Sequence, residues 1–203
     1  EQNMIVMAPG VYVAKYLIAT NQMKPEIMAK AELMATVGYQ RELTFMRSDG
    51  SFSAFGESDK EGSTFLTAFV VRTFAEAKDV IYIDEDIIEG AKDWLLKHKR
   101  SDGSFETVGF IHHRDMMGGV AGDYAMTAYV TASLLEAGYN EVKDSIEYLE
   151  NGFSKANNYS KALACYALAL AGKDYSDELL KVAVRDGERM YIPTGKKVTD
   201  VEA

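Results

Sequence analysis

Apolar positions along this chain fall into eight blocks of two alternating kinds. VYVAKYLIA, FLTAFVVRTFA, YAMTAYVTASLL and ALACYALALA are apolar on most faces of a helical wheel, the pattern of a helix buried on most sides. The blocks between them carry one apolar stripe and one charged face. In DEDIIEGAKDWLLKHK the stripe runs through Ile87, Ile88, Ala91, Trp94 and Leu95 at helical spacing. The pattern predicts helices near 9–20, 25–46, 63–78, 84–99, 124–138, 140–154, 159–172 and 176–191. Pro9 and Pro25 are expected near helix starts, where a missing N–H costs least. Asp84, Asp123, Ser176 and Asn158 are the expected N-caps, and Gly138 and Gly172 the expected terminators. The alternation predicts two concentric layers, with helices 63–78 and 124–138 more buried than 84–99 and 140–154.

An internal repeat supports the layered plan. RSDGSF spans Arg47 to Phe52 and returns at Arg100 to Phe105, and TAFV at Thr67 returns as TAYV at Thr127. Each unit reads outer helix, DGSF turn, inner helix. Asp-Gly calls for a positive φ, and the Phe after it can anchor the turn on the core. Helical hairpins repeated in this way predict an all-α fold, an α/α toroid. The repeats are unequal. Phe52 to Thr67 spans 15 positions and Phe105 to Thr127 spans 22, so seven extra residues enlarge the second connection, ETVGFIHHRDMMGGVAGDY. A long Gly-rich loop on a rigid scaffold is where function usually sits.

Composition narrows the class. Apolar residues make up 47% and charged residues 26% of 203 residues, as in ordinary globular domains. The net charge of −9 argues against a nucleic-acid partner. The basic run Lys97 to Arg100 sits at a helix end, where cations favour the dipole. No run of 18 apolar residues suggests membrane insertion. The single cysteine, Cys165, is expected as a buried small hydrophobe. One glycosylation sequon occurs, Asn158-Tyr159-Ser160.

The opening EQNMIVMAPG resembles the stretch that follows the thioester cysteine in complement and alpha-macroglobulin proteins, whose motif reads Cys-Gly-Glu-Gln-Asn-Met. FIHHRDMMGG is similar to the segment around the same family's catalytic His. Matching back from Gly118-Gly119 puts Met116 on the family Met and His113 on the family His; a register one residue off would select His112. The resemblance implies a partial thioester domain over 1–203, starting inside the motif and lacking further hairpins. The closing residues VEA look like the start of another inner helix. It assigns Gln2 as acyl donor and His113 as nucleophile. A sugar hydroxyl is a poor nucleophile, whereas neutral imidazole, with an ordinary pKa near 6.5, attacks acyl groups well at pH 7. A His rather than an Asn implies transfer to hydroxyls through an acyl-imidazole.

The implied role is an innate-immune opsonin of the complement-like type. It is secreted and extracellular, and it tags microbial or cell-surface carbohydrate in a single turnover rather than as an enzyme. No cofactor or metal is implied, and the remaining partners are neighbouring domains of the parent protein. Protease trapping, as in alpha-macroglobulins, is the alternative within the family. A toroid lyase or transferase, or a helical binding module, is the alternative outside it. A prenyltransferase-like zinc site from Cys165, His112 and Asp115 lacks ligand spacing. The acids Asp84, Glu85 and Asp86 suit a helix N-terminus better than a cyclase cluster. Met4, Met7, Met116 and Met117 fit either a wall around the thioester or ordinary core.

Overall fold

The computed structural model describes residues 1–194. In chain order it contains α1 (Gln2–Ala19), α2 (Pro25–Leu43), α3 (Thr64–Ala77), α4 (Glu85–Lys97), α5 (Gly122–Glu136), α6 (Lys143–Gly152), α7 (Asn158–Leu170) and α8 (Ser176–Leu180). A small antiparallel hairpin follows, β1 (Val184–Asp186) and β2 (Arg189–Tyr191). The closing residues 195–203, including VEA, lie outside the described residues. The helices fall into two compact units. The first holds Glu1–Lys97 together with Val108–His113, and the second holds His98–Thr107 with the residues from Arg114 on.

In the first unit α1 packs on α2 and α3, and α3 packs on α4. In the second, α5 packs on α6 and α7. The layering holds at the middle helices. Ten residues of α3 and ten of α5 are buried, against four of α4 and two of α6. The one stripe of α4 is Ile88, Ala91, Trp94 and Leu95, as its spacing predicts. Helices α1 and α7 depart from the expectation. Only one face of each is buried, and Ile5, Val6, Val13 and Tyr16 of α1 remain exposed.

The two DGSF turns are built alike. In each, a one-residue antiparallel bridge closes the turn, Met46 to Phe52 and Lys99 to Phe105. The Asp side chain accepts from the Ser two residues on, at 3.0 Å from the Ser51 and Ser104 nitrogens. Phe52 and Phe105 are fully buried. Each Phe N–H donates to the Thr of the repeated TA(F/Y)V segment, Phe52 to Thr67 Oγ1 at 3.0 Å and Phe105 to Thr127 Oγ1 at 2.9 Å. The recurring Phe and Thr are therefore two halves of one buried contact. Thr67→Val is expected to strand the Phe52 N–H and to cost about 1–3 kcal/mol. Thr67→Ser keeps the acceptor and should cost less; urea denaturation of the two variants checks the difference.

Several local expectations are corrected. Helix α1 starts at Gln2, so Pro9 lies inside it rather than at its start. Its ring faces the exposed side, and the helix carries the loss of one backbone hydrogen bond. Asp84 does cap α4, accepting from the Asp86 N–H at 3.1 Å. Asp123 instead lies within the first turn of α5, after Ala121 at the cap, and its carboxylate pairs with Arg100 at 2.6 Å. Ser176 is the first residue of α8, and Asp174 accepts from its N–H at 2.9 Å. Asn157, not Asn158, caps α7, and the Asn158 amide donates to the Pro193 carbonyl at 2.8 Å. The predicted helix 176–191 ends at Leu180 and gives way to the hairpin. Asp186-Gly187 accounts for this: Gly187 takes a φ of 61°, which a two-residue hairpin turn requires and a helix does not. Cys165 is half-buried at the edge of the α5–α6–α7 core rather than fully enclosed.

Candidate functional site

The segment Val108–His113 belongs to the first unit and is fixed there by two hydrogen bonds between Val108 and Thr64. Thr64 N donates to Val108 O at 3.1 Å, and Val108 N donates to Thr64 Oγ1 at 3.1 Å. Gly109 lies flat against the chain before α3; a Cβ there would stand 2.3 Å from Gly62 O. Ile111 is buried and pins the segment from within. The next two residues, His112 and His113, are thereby held beside the N-terminus of α1.

Glu1 makes the connection. It occupies the N-cap position of α1, yet its side chain caps nothing. Instead one carboxylate oxygen accepts from His112 N at 2.9 Å, and the other from His113 N at 3.1 Å and from the His113 ring at Nδ1, 2.8 Å. The Glu1 side chain is only 4% exposed while that of His113 is 47% exposed. Burial by itself would raise the Glu1 pKa. The hydrogen bonds from the His113 ring and from the two backbone N–H groups outweigh it, so the carboxyl sits below its usual range. Glu1 is therefore a carboxylate that can only accept, and Nδ1 carries the proton. In the neutral ring the other nitrogen, Nε2, then keeps its lone pair. It lies 3.4 Å from Gln2 Nε2, on the exposed side.

The two histidines divide cleanly. His113 faces Gln2. His112 sits edge-on between the rings of Phe110 and Phe55, at centroid distances of 4.7 and 5.1 Å. Both phenylalanines are more than half exposed.

The residues after Gln2 are tied inward. Asn3 Nδ2 donates to Gly38 O and to Glu42 Oε2, both at 2.8 Å, and Met4 and Met7 are core. Met116 and Met117 are half-buried in the second unit. Glu42 is 0% exposed, and its other oxygen, Oε1, has no hydrogen-bond partner among the described residues. Desolvation raises its pKa, against the smaller opposing effect of Asn3. A carboxyl raised above its ordinary value of 4.5 binds its proton more tightly in the folded state. Its contribution to stability is thus greatest below that value and is lost as pH rises through the folded pKa. Glu42→Gln should match the wild type near pH 4.5 and exceed its stability by about 1–2 kcal/mol at pH 8. Denaturation midpoints at the two pH values check this.

Sequence reasoning assigned Gln2 and His113, and the structure brings their side chains together. It missed the working contacts of Glu1, Asn3 and Glu42. No local signal marks Glu1: the sequence places the first helix at 9–20, and the cap position of Glu1 emerges only in the structure. Among the described residues no three His, Cys, Asp or Glu side chains group to hold a metal ion. No helix among them is long and apolar enough to cross a membrane.

An all-α scaffold of repeated hairpins that sets a Glu-Gln pair against a loop histidine has the makings of a thioester domain. The family comparison agrees: residues 1–200 match the model of the A-macroglobulin TED domain, and the chain belongs to that family. The family's α/α toroid fold class holds for this chain. Ovostatin of Gallus gallus is 40% identical over 179 residues, covering 85% of this chain. The chain spans 12% of the length of that relative.

Proposed function

We propose that this domain transfers the acyl group of Gln2 to hydroxyl groups, as the reactive module of a larger secreted, extracellular protein that tags microbial or cell-surface carbohydrate. The observation that carries the reading is the Nε2 of His113 facing the Gln2 side chain at 3.4 Å. In the thioester form a cysteine sulfur takes the place of the Gln2 amide nitrogen, so that nitrogen marks the leaving-group position. The His113 lone pair attacks the Gln2 acyl carbon, and the C–S bond breaks with its electron pair leaving on the thiolate. The product is an acyl-imidazole. An incoming hydroxyl then attacks the acyl carbon, its proton passes to the thiolate, and Nε2 departs with its electron pair. The result is an ester at Gln2, a restored imidazole and a free thiol. His113 is regenerated but the thioester is not, so the domain acts once and is not a turnover enzyme. No cofactor enters the scheme.

The test is uptake of labelled glycerol by the parent protein. The reading expects close to one glycerol per domain, and none from a second dose after the first is exhausted. Repeated uptake would overturn the single-turnover account, and no uptake would overturn hydroxyl transfer. The family match favours one further reading, capture of a protease, in which the same acyl group is spent on the captured enzyme. Acceptors found on lysine amines of a protease rather than on glycan hydroxyls would favour it.

A further inference from the structure

We infer that Glu1 is a positioning residue: it sets the tautomer of His113 and holds the positive charge that forms on the ring during acyl transfer. The inference rests on the function proposed above and extends it to a residue that does not touch the acyl carbon. Three observations converge. The Glu1 carboxylate accepts three hydrogen bonds, all from two consecutive residues more than a hundred positions away, His112 and His113. It is buried, while the ring it holds is half open. It also leaves its own helix terminus without a side-chain cap, so the contact with the histidine segment is made in preference to a local one.

The chemical consequence lies in where the protons sit. With the proton on Nδ1, the lone pair of Nε2 is free to attack Gln2. When the C–N bond forms and the C–S bond breaks, the ring carries both the acyl group and the Nδ1 proton and becomes a cation. Glu1 already lies 2.8 Å from that N–H. It stabilises the cation without taking its proton, as a buried carboxylate does behind the imidazole of a hydrolytic triad. A cationic acyl-imidazole is a better acyl donor than a neutral one, because the departing ring leaves as a neutral molecule. When the hydroxyl attacks, its proton goes to the thiolate and the ring returns to the neutral Nδ1–H form still bound to Glu1. The two backbone N–H contacts aim the carboxylate, so ring and acceptor are fixed together.

The experiment is a double-mutant cycle in the parent protein with Glu1→Gln, His113→Asn and the pair. The readout is the ratio of glycerol to methylamine incorporated at the thioester. A small amine attacks the thioester directly, so methylamine uptake reports an intact bond and a folded domain. Glu1→Gln keeps an acceptor but removes the charge, and should lower the ratio on the order of 100-fold or more, the direction of the loss when the carboxylate behind a triad histidine becomes an amide. In the His113→Asn background it should have no further effect. If Glu1→Gln leaves the ratio unchanged while His113→Asn lowers it, the role given to Glu1 is wrong and the proposed function survives. The same role is wrong if Glu1→Gln lowers the ratio equally in both backgrounds. If neither single change moves the ratio, the hydroxyl-transfer function itself fails. Should Glu1→Gln prevent thioester formation, Glu1→Asp, whose shorter arm draws the carboxylate back from its 2.8 Å contact with Nδ1, should lower the ratio in the same direction and is read by the same criteria.

Discussion

His113→Asn in the parent protein is expected to cut transfer to glycerol on the order of 100-fold or more, the scale of losing a positioned catalytic imidazole. Reaction with methylamine should be largely retained. The asymmetry comes from nucleophile strength. An amine carries a lone pair reactive enough to attack the thioester unaided, whereas a neutral hydroxyl needs the more reactive acyl-imidazole and a base for its proton. Asparagine fits the space but offers an amide in place of an imidazole lone pair at Nε2, the atom that stands 3.4 Å from Gln2. His112→Asn is the matched control. That ring packs between Phe110 and Phe55, so its loss should leave the glycerol-to-methylamine ratio unchanged. A fall in the ratio with His112→Asn but not with His113→Asn would shift the assignment by one residue.

Gly103→Ala should be among the most destabilising of the simple substitutions, at about 3–5 kcal/mol, because it combines two separate mechanisms. The residue has a φ of 86°, a left-handed conformation costing an L-residue about 1–2 kcal/mol. A Cβ there would also stand 2.2 Å from Asp144 O and 2.4 Å from Asp144 C. Those are backbone atoms of α6 and cannot step aside alone. The turn is further clamped by Ser145 Oγ donating to Gly103 O at 2.7 Å. Two other glycines separate the contributions. Gly138→Ala, at a φ of 88° with nothing within 4 Å of the new Cβ, should show the conformational cost alone, about 1–2 kcal/mol. Gly50→Ala, whose Cβ would meet Gly90 O at 2.7 Å, should fall between them. Urea midpoints of the three variants check the order.

The same turns explain how much of the fold was legible. RSDGSF and its partner TA(F/Y)V could be read as a repeat because one buried Phe N–H to Thr contact recurs and demands the same residues twice. Alternating burial was readable at α3 and α5, whose apolar residues face packed neighbours on most sides. It misled at α1, where Val13 and Tyr16 look like core in the sequence but stay exposed. The start of α1 is not legible because Pro9 is locally a helix-start signal, whereas the packing of Met4 and Met7 carries the helix on ahead of it. The hairpin at 184–191 was missed for the opposite reason. Its Asp-Gly signal is present, but the apolar positions around it also fit a helical period.

At the site, Gln2 and His113 were legible only through family resemblance, since nothing local marks one loop histidine over its neighbour. The hydrogen bonds of Glu1 span more than a hundred residues, a separation no local pattern encodes. Glu42 was invisible for a related reason. In sequence it is one glutamate beside Arg41 on a polar-looking helix, and only the packing of Asn3 against it reveals a buried carboxyl.

The most direct test of acyl transfer from Gln2 is to locate the adduct. The parent protein is allowed to react with labelled glycerol, digested, and the peptide that contains Gln2 analysed by mass. The account predicts glycerol in ester linkage at the Gln2 side chain in the wild type and its near-absence in His113→Asn. Glycerol bound at any other residue, or bound at Gln2 to the same extent without the imidazole, would contradict it.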